Sequence, residues 1–318
     1  MSNDHSFLEK DSLKSVLRWG SRLLTLAIVG FLFYRLRQLG WQELWSALPT
    51  NPWFYVLFVV IYLTLPVADL LVYRQVWPIP VLDGLRAFLK KRVFNEEMTG
   101  YSGEVYLYWW LSQRSEISRS EAFRVVRDNN ILSSVASMTV AFGLVGILAL
   151  TGLLLLGPLL GRINGSYAAI GAVAVVVVVI VAFKFRHSLF SLSRPVAYRI
   201  LGIHYGRLLG ANALIALQWS VGAPGISISV WLTYLSILIV LNRIPFLPSK
   251  DLFFLSASVE LSSMMGIATT AIAGILVASS VLVRSTNVLI FIATYFFGRN
   301  PLSTDPAVAD GDAMIESA

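Results

Sequence analysis

The sequence predicts an all-α polytopic membrane protein with about seven to eight transmembrane helices and one or two re-entrant helical hairpins. Three observations carry that prediction. Of 318 residues, 56% are hydrophobic and 14% charged, where a soluble domain carries about 25% charged residues. The apolar residues gather in tracts long enough to cross a bilayer, which takes about 20 residues per helix. The basic residues gather between those tracts, and one apolar segment, Phe94 to Leu111, has bases at both ends.

No polar stretch reaches the roughly 50 residues of a small soluble domain. Residues 1–299 therefore read as a single integral membrane domain. Residues 300–318 hold Asp305, Asp310, Asp312 and Glu316 without a base and are expected to be a disordered acidic tail. The net charge of +7 reflects the positive-inside bias of membrane loops, with attraction to anionic headgroups as its functional counterpart. No nucleic-acid partner is expected. The chain has no cysteine, which excludes disulfides, thiolate nucleophiles and Cys-ligated metals. Its three histidines, His5, His187 and His204, are scattered. No metal or cofactor is expected.

In chain order, Arg18 and Arg22 precede an apolar run that ends before Arg35 and Arg37. No small-residue cleavage site follows, so residues 17–36 are expected to be an uncleaved first span with a cytoplasmic N-terminus. Leu39, Trp41, Leu44, Trp45 and Leu48 fall at helical spacing before Pro49, the pattern of an interfacial amphipathic helix. Pro52 opens a second span reaching Tyr73. It contains Asp69, expected to snorkel to the interface or to pair with a base such as Arg74.

Residues 83–92 form a short basic segment, and the hairpin occupies 94–111 with its turn at Gly100, Ser102 and Gly103. Residues 115–128 form a charged, helix-compatible loop in which Ser118 and Glu121 match a capping box. Spans are expected at 131–156, 167–183, 208–221 and 226–241. A tract at 252–283 is interrupted by Glu260 and the small residues SSMMGIATT, as two half-helices broken near 262–266 would be. Arg284 precedes a final span to Phe297.

The hairpin follows from counting sides. The basic segments 74–92, 114–128, 184–207 and 243–250 all fall on one side, while the loops 157–166 and 222–226 hold a single base; the loop 35–52, with Arg35 and Arg37, is the exception. That holds only if 94–111 enters the bilayer and returns. Both unusual tracts place a carboxylate, Glu104 or Glu260, between a basic loop and an apolar helix. Paired interrupted helices in two parts of a chain point to a transport site near the midplane.

The run NEEMTGYSGE from Asn95 to Glu104, the basic segment to Arg127 and Asp128, and the long span after it resemble the integral membrane region of lysylphosphatidylglycerol synthases, the flippase-like domain family. The run RIPFLP from Arg243 to Pro248, with Glu260, Gly266 and Arg284, is similar to that family's second characteristic tract, though Ser249-Lys250-Asp251 stands where a glycine-containing turn is usual. The resemblance implies location in the bacterial cytoplasmic (inner) membrane and translocation of a phospholipid, aminoacyl-lipid, polyprenyl-linked lipid or glycolipid. It also makes a lipid-modifying enzyme a candidate partner. The chain contains no synthetase domain, so lipid synthesis is not implied.

An ionised side chain at the bilayer centre costs about 2.5–3.5 kcal/mol on insertion scales, so it is paired, hydrated or used. Glu104 and Glu260 are the candidates to engage a cationic or hydroxyl-rich headgroup or to accept protons. Arg284, Arg92 and Arg127 are candidates to hold an anionic lipid phosphate, as guanidinium geometry suits. Asn95 and Asp128 complete the set. The structural alternative for each glutamate is an ion pair with a neighbouring arginine. A membrane-embedded glycosyltransferase or other enzyme on a lipid-linked substrate is the competing class. It finds no HExxH or P-loop motif here, and the one DxD, Asp310-Gly311-Asp312, lies in the tail. A non-catalytic membrane scaffold is the third reading.

Overall fold

The computed structural model describes residues 41–98, 101–114, 117–153, 191–242 and 250–296. The spans expected at 17–36 and 167–183, the acidic tail and Gly100 lie outside them. The described chain is helical: α1 Trp41–Ser46, α2 Pro52–Tyr73, α3 Val81–Glu97, α4 Ser102–Ser112, α5 Arg119–Leu150, α6 Arg194–Gly222, α7 Ile228–Leu241, α8 Lys250–Met264 and α9 Thr269–Phe296. α2, α5, α6 and residues 269–294 of α9 are long and apolar enough to cross a membrane, and α7 is a shorter apolar helix. By length and composition this is a helical membrane protein.

α2 has the limits expected from sequence. Asn51 caps it by accepting from the Trp53 N–H at 3.0 Å, and Pro52 fills the first turn, where its missing N–H costs nothing. Other helices reach further than their apolar runs. α3 begins at Val81 rather than at the expected hairpin boundary of Phe94. α5 begins at Arg119, where the Ser118 hydroxyl accepts from the Glu121 N–H at 3.2 Å. The Glu121 carboxylate does not close the capping box. It accepts instead from the indole N–H of Trp77 at 3.2 Å. α6 begins at Arg194, well before the expected span at 208.

The expected break after α8 is present and has a cause. Gly266 adopts a left-handed φ of 63°. The Ile267 N–H reaches back to the Ser262 carbonyl and the Gly266 N–H to the Ser263 carbonyl. This is a Schellman stop, which a Cβ would strain. Past it, α9 runs unbroken through Arg284, so Arg284 lies within a helix, not between two.

Two apolar cores lie along α2. Near its C-terminal end, Leu70, Val72 and Tyr73 pack with Phe88, Leu107, Leu111, Val125, Leu132 and Ile200. Near its N-terminal end, Phe54 packs with Ala141, Trp219, Trp231, Phe254 and Ile272. α5 and α6 both run from the first core to the second. In a membrane such cores gain from close packing and internal hydrogen bonds more than from water release.

α3 and α4 form a helical hairpin against α2. Its polypeptide leaves and rejoins the bundle at the first core: Trp77, just after α2, meets Glu121 in the first turn of α5. α3 runs antiparallel to α2, with Lys91 beside Asp69 and Arg92 beside Tyr62, and Tyr62 is the midpoint of α2. Gly103 lets the two arms touch. A Cβ there would collide with the Lys91 carbonyl and the Asn95 side chain. Gly103→Leu is expected to cost about 1–3 kcal/mol through overpacking, read as a lowered unfolding midpoint in detergent. An unchanged midpoint would contradict this packing.

Candidate functional site

Between the two cores lies a polar layer with two parts. The first is buried inside the hairpin. The Lys91 ammonium sits 2.8 Å from Asp69 of α2 and 3.5 Å from Glu104 of α4, and both Lys91 and Asp69 are almost fully buried. Asn95 organises the turn around them: its Oδ1 accepts from the Gly103 N–H at 2.8 Å and its Nδ2 donates to Glu104 at 3.1 Å. The Ser102 hydroxyl donates to the Phe94 carbonyl at 2.6 Å. Glu104 is thus held by a lysine and an asparagine. Asp69 takes Lys91 as its partner, not the expected Arg74, because α3 folds back along the Asp69 face of α2.

The second part gathers at the hairpin tip. Pro66 lacks the N–H that would bond the carbonyl four residues earlier. That carbonyl, Tyr62, accepts instead from the Arg92 guanidinium, which also covers the Tyr62 ring at 3.9 Å and pairs with Glu96 at 2.8 Å. The Tyr62 hydroxyl donates to Asn287 of α9 at 2.6 Å. Asn287 Nδ2 donates to Glu96 at 2.9 Å and to Glu97 at 2.7 Å. Arg284, one turn earlier on α9, reaches Glu97 at 3.5 Å and Asp251, in the first turn of α8, at 3.9 Å. Arg284 is therefore where the hairpin tip and the start of α8 meet.

The remaining candidates lie elsewhere. Glu260 is half-buried on α8, about 13 Å further along the helix than Asp251 by the 1.5 Å rise per residue. α4 packs on α3 and α5, and α8 on α7 and α9, so Glu104 and Glu260 stand on helices with different packing partners. Asp128 is fully buried at the first core. It pairs with Arg127 at 2.8 Å and accepts from the Ser191 N–H, the Ser191 hydroxyl and the Leu192 N–H at 2.6, 2.7 and 3.1 Å.

Tyr62, Pro66, Glu96, Glu97 and Asn287 were not among the sequence candidates. Glu96 and Glu97 read as interfacial from sequence. Asn287 had one signal: it follows Arg284 by three residues in an apolar helix, which puts both on one face. Chemically, the layer offers guanidinium donors and carboxylate acceptors side by side, the groups that bind phosphate, ammonium and hydroxyls. Among the described residues, no three His, Cys, Asp or Glu side chains converge to hold a metal. No protein-family model, curated protein or solved structure matches the chain.

Proposed function

We propose that the protein is a lipid translocase that carries a phospholipid, aminoacyl-lipid or polyprenyl- or sugar-linked lipid across the bacterial inner membrane. The observation that carries this reading is the charged layer at the midpoint of α2, built from the hairpin tip, α8 and α9 around Arg284. Lipid headgroups face their largest barrier at that depth, and charges kept in a membrane mark substrate paths more often than not.

In this reading the hairpin re-enters the bilayer from the cytoplasmic side. The chain crosses seven or eight times, with its N-terminus cytoplasmic. The likeness of the Asn95–Glu104 and Arg243–Pro248 runs to the flippase-like family supports the same reading. Arg284 takes the lipid phosphate while the carboxylates around it engage the rest of the headgroup. Glu104 acts behind them by holding Lys91 and Asn95, and so fixing the hairpin.

The test is translocation in proteoliposomes across a panel of native and acyl-labelled lipids. Wild-type protein should move at least one lipid, and Arg284→Gln should slow it about tenfold or more, equivalent to about 1.4 kcal/mol of lost barrier lowering. Glu104→Gln leaves the Lys91–Asp69 pair intact, so it should fold and show a smaller loss. No movement of any lipid by folded wild-type protein would sink the reading.

A further inference from the structure

The guanidinium of Arg284 is under-used. Its contacts among the described residues are the long ones to Glu97 and Asp251, and its side chain is 48% exposed. It is neither buried nor engaged as a two-pronged fork, the geometry arginine favours with a firmly bound oxyanion. Asp251 is also weakly held, with its side chain 58% exposed and its guanidinium partner 3.9 Å away. Glu97 gives one oxygen to Asn287 and keeps the other for Arg284 at 3.5 Å, its side chain 34% exposed.

The neighbours are different. Arg92 is taken by Glu96, the Tyr62 carbonyl and the Tyr62 ring, and Asn287 is fully buried with both ends bonded. Among the described residues, the open face of the layer therefore consists of one guanidinium between two carboxylates. A headgroup with phosphate alone would meet Arg284 but place its charge against Glu97 and Asp251. A quaternary ammonium would bring charge but no N–H for the carboxylates. A phosphate joined to one primary ammonium satisfies both halves: oxyanion to Arg284, N–H donors to Glu97 and Asp251.

We propose that Arg284, Glu97 and Asp251 form a headgroup site for a zwitterionic phospholipid, one whose phosphate carries a primary ammonium. The assignment rests on the translocase reading and narrows its substrate to this class.

The experiment measures binding, not transport. Purified full-length protein is loaded with acyl-labelled phosphatidylethanolamine, which is then displaced by unlabelled lipids. Phosphatidylethanolamine should displace it at about tenfold lower concentration than phosphatidylglycerol, phosphatidylcholine or the N-acetylated lipid, the factor expected for one charge-assisted hydrogen bond. Asp251→Asn, at a mostly exposed position that should not disturb folding, should bring those lipids close to parity. Arg284→Gln should weaken all of them together. Equal displacement by phosphatidylglycerol, or an amine preference unchanged in both Asp251→Asn and Glu97→Gln, would overturn the site. Soluble phosphoethanolamine competing as well as the lipid would overturn its assignment to a lipid. Amine-selective binding without translocation would remove the transport reading and leave the site. Translocation with no amine preference would do the reverse.

Discussion

Lys91→Met is expected to destabilise the protein by about 3–5 kcal/mol, the cost of leaving buried charge without its partner. The ammonium it removes is the common contact of Asp69 and Glu104, and Asp69 and Lys91 are only 2% and 5% exposed. Asp69→Asn should cost less, because Lys91 keeps Glu104 and the amide can still accept from it. The double variant Lys91→Met with Asp69→Leu should recover part of the loss, since it removes the charge and the need for its partner together. Unfolding followed by near-ultraviolet circular dichroism in detergent provides the comparison. A loss below about 1 kcal/mol for Lys91→Met, the range of exposed ion pairs, would mean that water reaches the triad. A double variant as unstable as the single one would mean that packing, not charge, dominates.

The second large effect is expected at Asp128. Its carboxylate accepts from two consecutive backbone amides and a hydroxyl at Ser191 and Leu192, just ahead of α6. Ser193, at the N-cap of α6, makes no side-chain cap bond of its own, so an acidic residue on α5 steadies the entry to that helix. Asp128→Ala strands those backbone and hydroxyl donors and removes the carboxylate paired with Arg127. The expected cost is about 2–4 kcal/mol, a few unsatisfied groups at about 1–3 kcal/mol each with partial rehydration. Asp128→Asn should lie between wild type and alanine, because one oxygen still accepts while the amide nitrogen faces donors. Hydrogen exchange at the Ser191 and Leu192 amides should accelerate well before the α5 interior. Unchanged protection there would show that the contact does not hold α6 in place.

These two sites also show what a linear reading can and cannot see. The limits of α2 were legible because Asn51, Pro52 and a continuous apolar run act locally. The break at Gly266 was legible because small residues and glycine disfavour a continuing helix. α3, α5, α6 and α9 extend past their apolar runs, because a charged residue need not end a helix. Arg119, Arg194 and Arg284 sit in helices regardless, since backbone bonding tolerates a charge whose side chain finds a partner or solvent. The partners themselves were hidden by distance: Asp69 and Lys91 are 22 residues apart, and Asn287 is 190 from Glu97. The Gly/Ser turn and the basic segments on both sides mark Glu104 as a charge in an apolar setting. They do not reveal that Glu96 and Glu97, which look superficial, would reach α9. Nor do they reveal that Pro66 would free a carbonyl for Arg92.

That span of 190 residues between Glu97 and Asn287 bears on how the protein is made. At about 5–20 residues per second, the usual pace of synthesis, the hairpin tip waits about 10–40 s for the helix that receives it. α3, which carries Lys90, Lys91, Arg92, Glu96 and Glu97, is a poor substrate for membrane insertion until those charges have partners. A ribosome stalled before α9 would leave a nascent chain with an undocked, charged hairpin, open to degradation. Supplying residues 250–296 as a separate polypeptide should rescue such a truncated chain from degradation, and the Asn287→Leu form of that polypeptide should not.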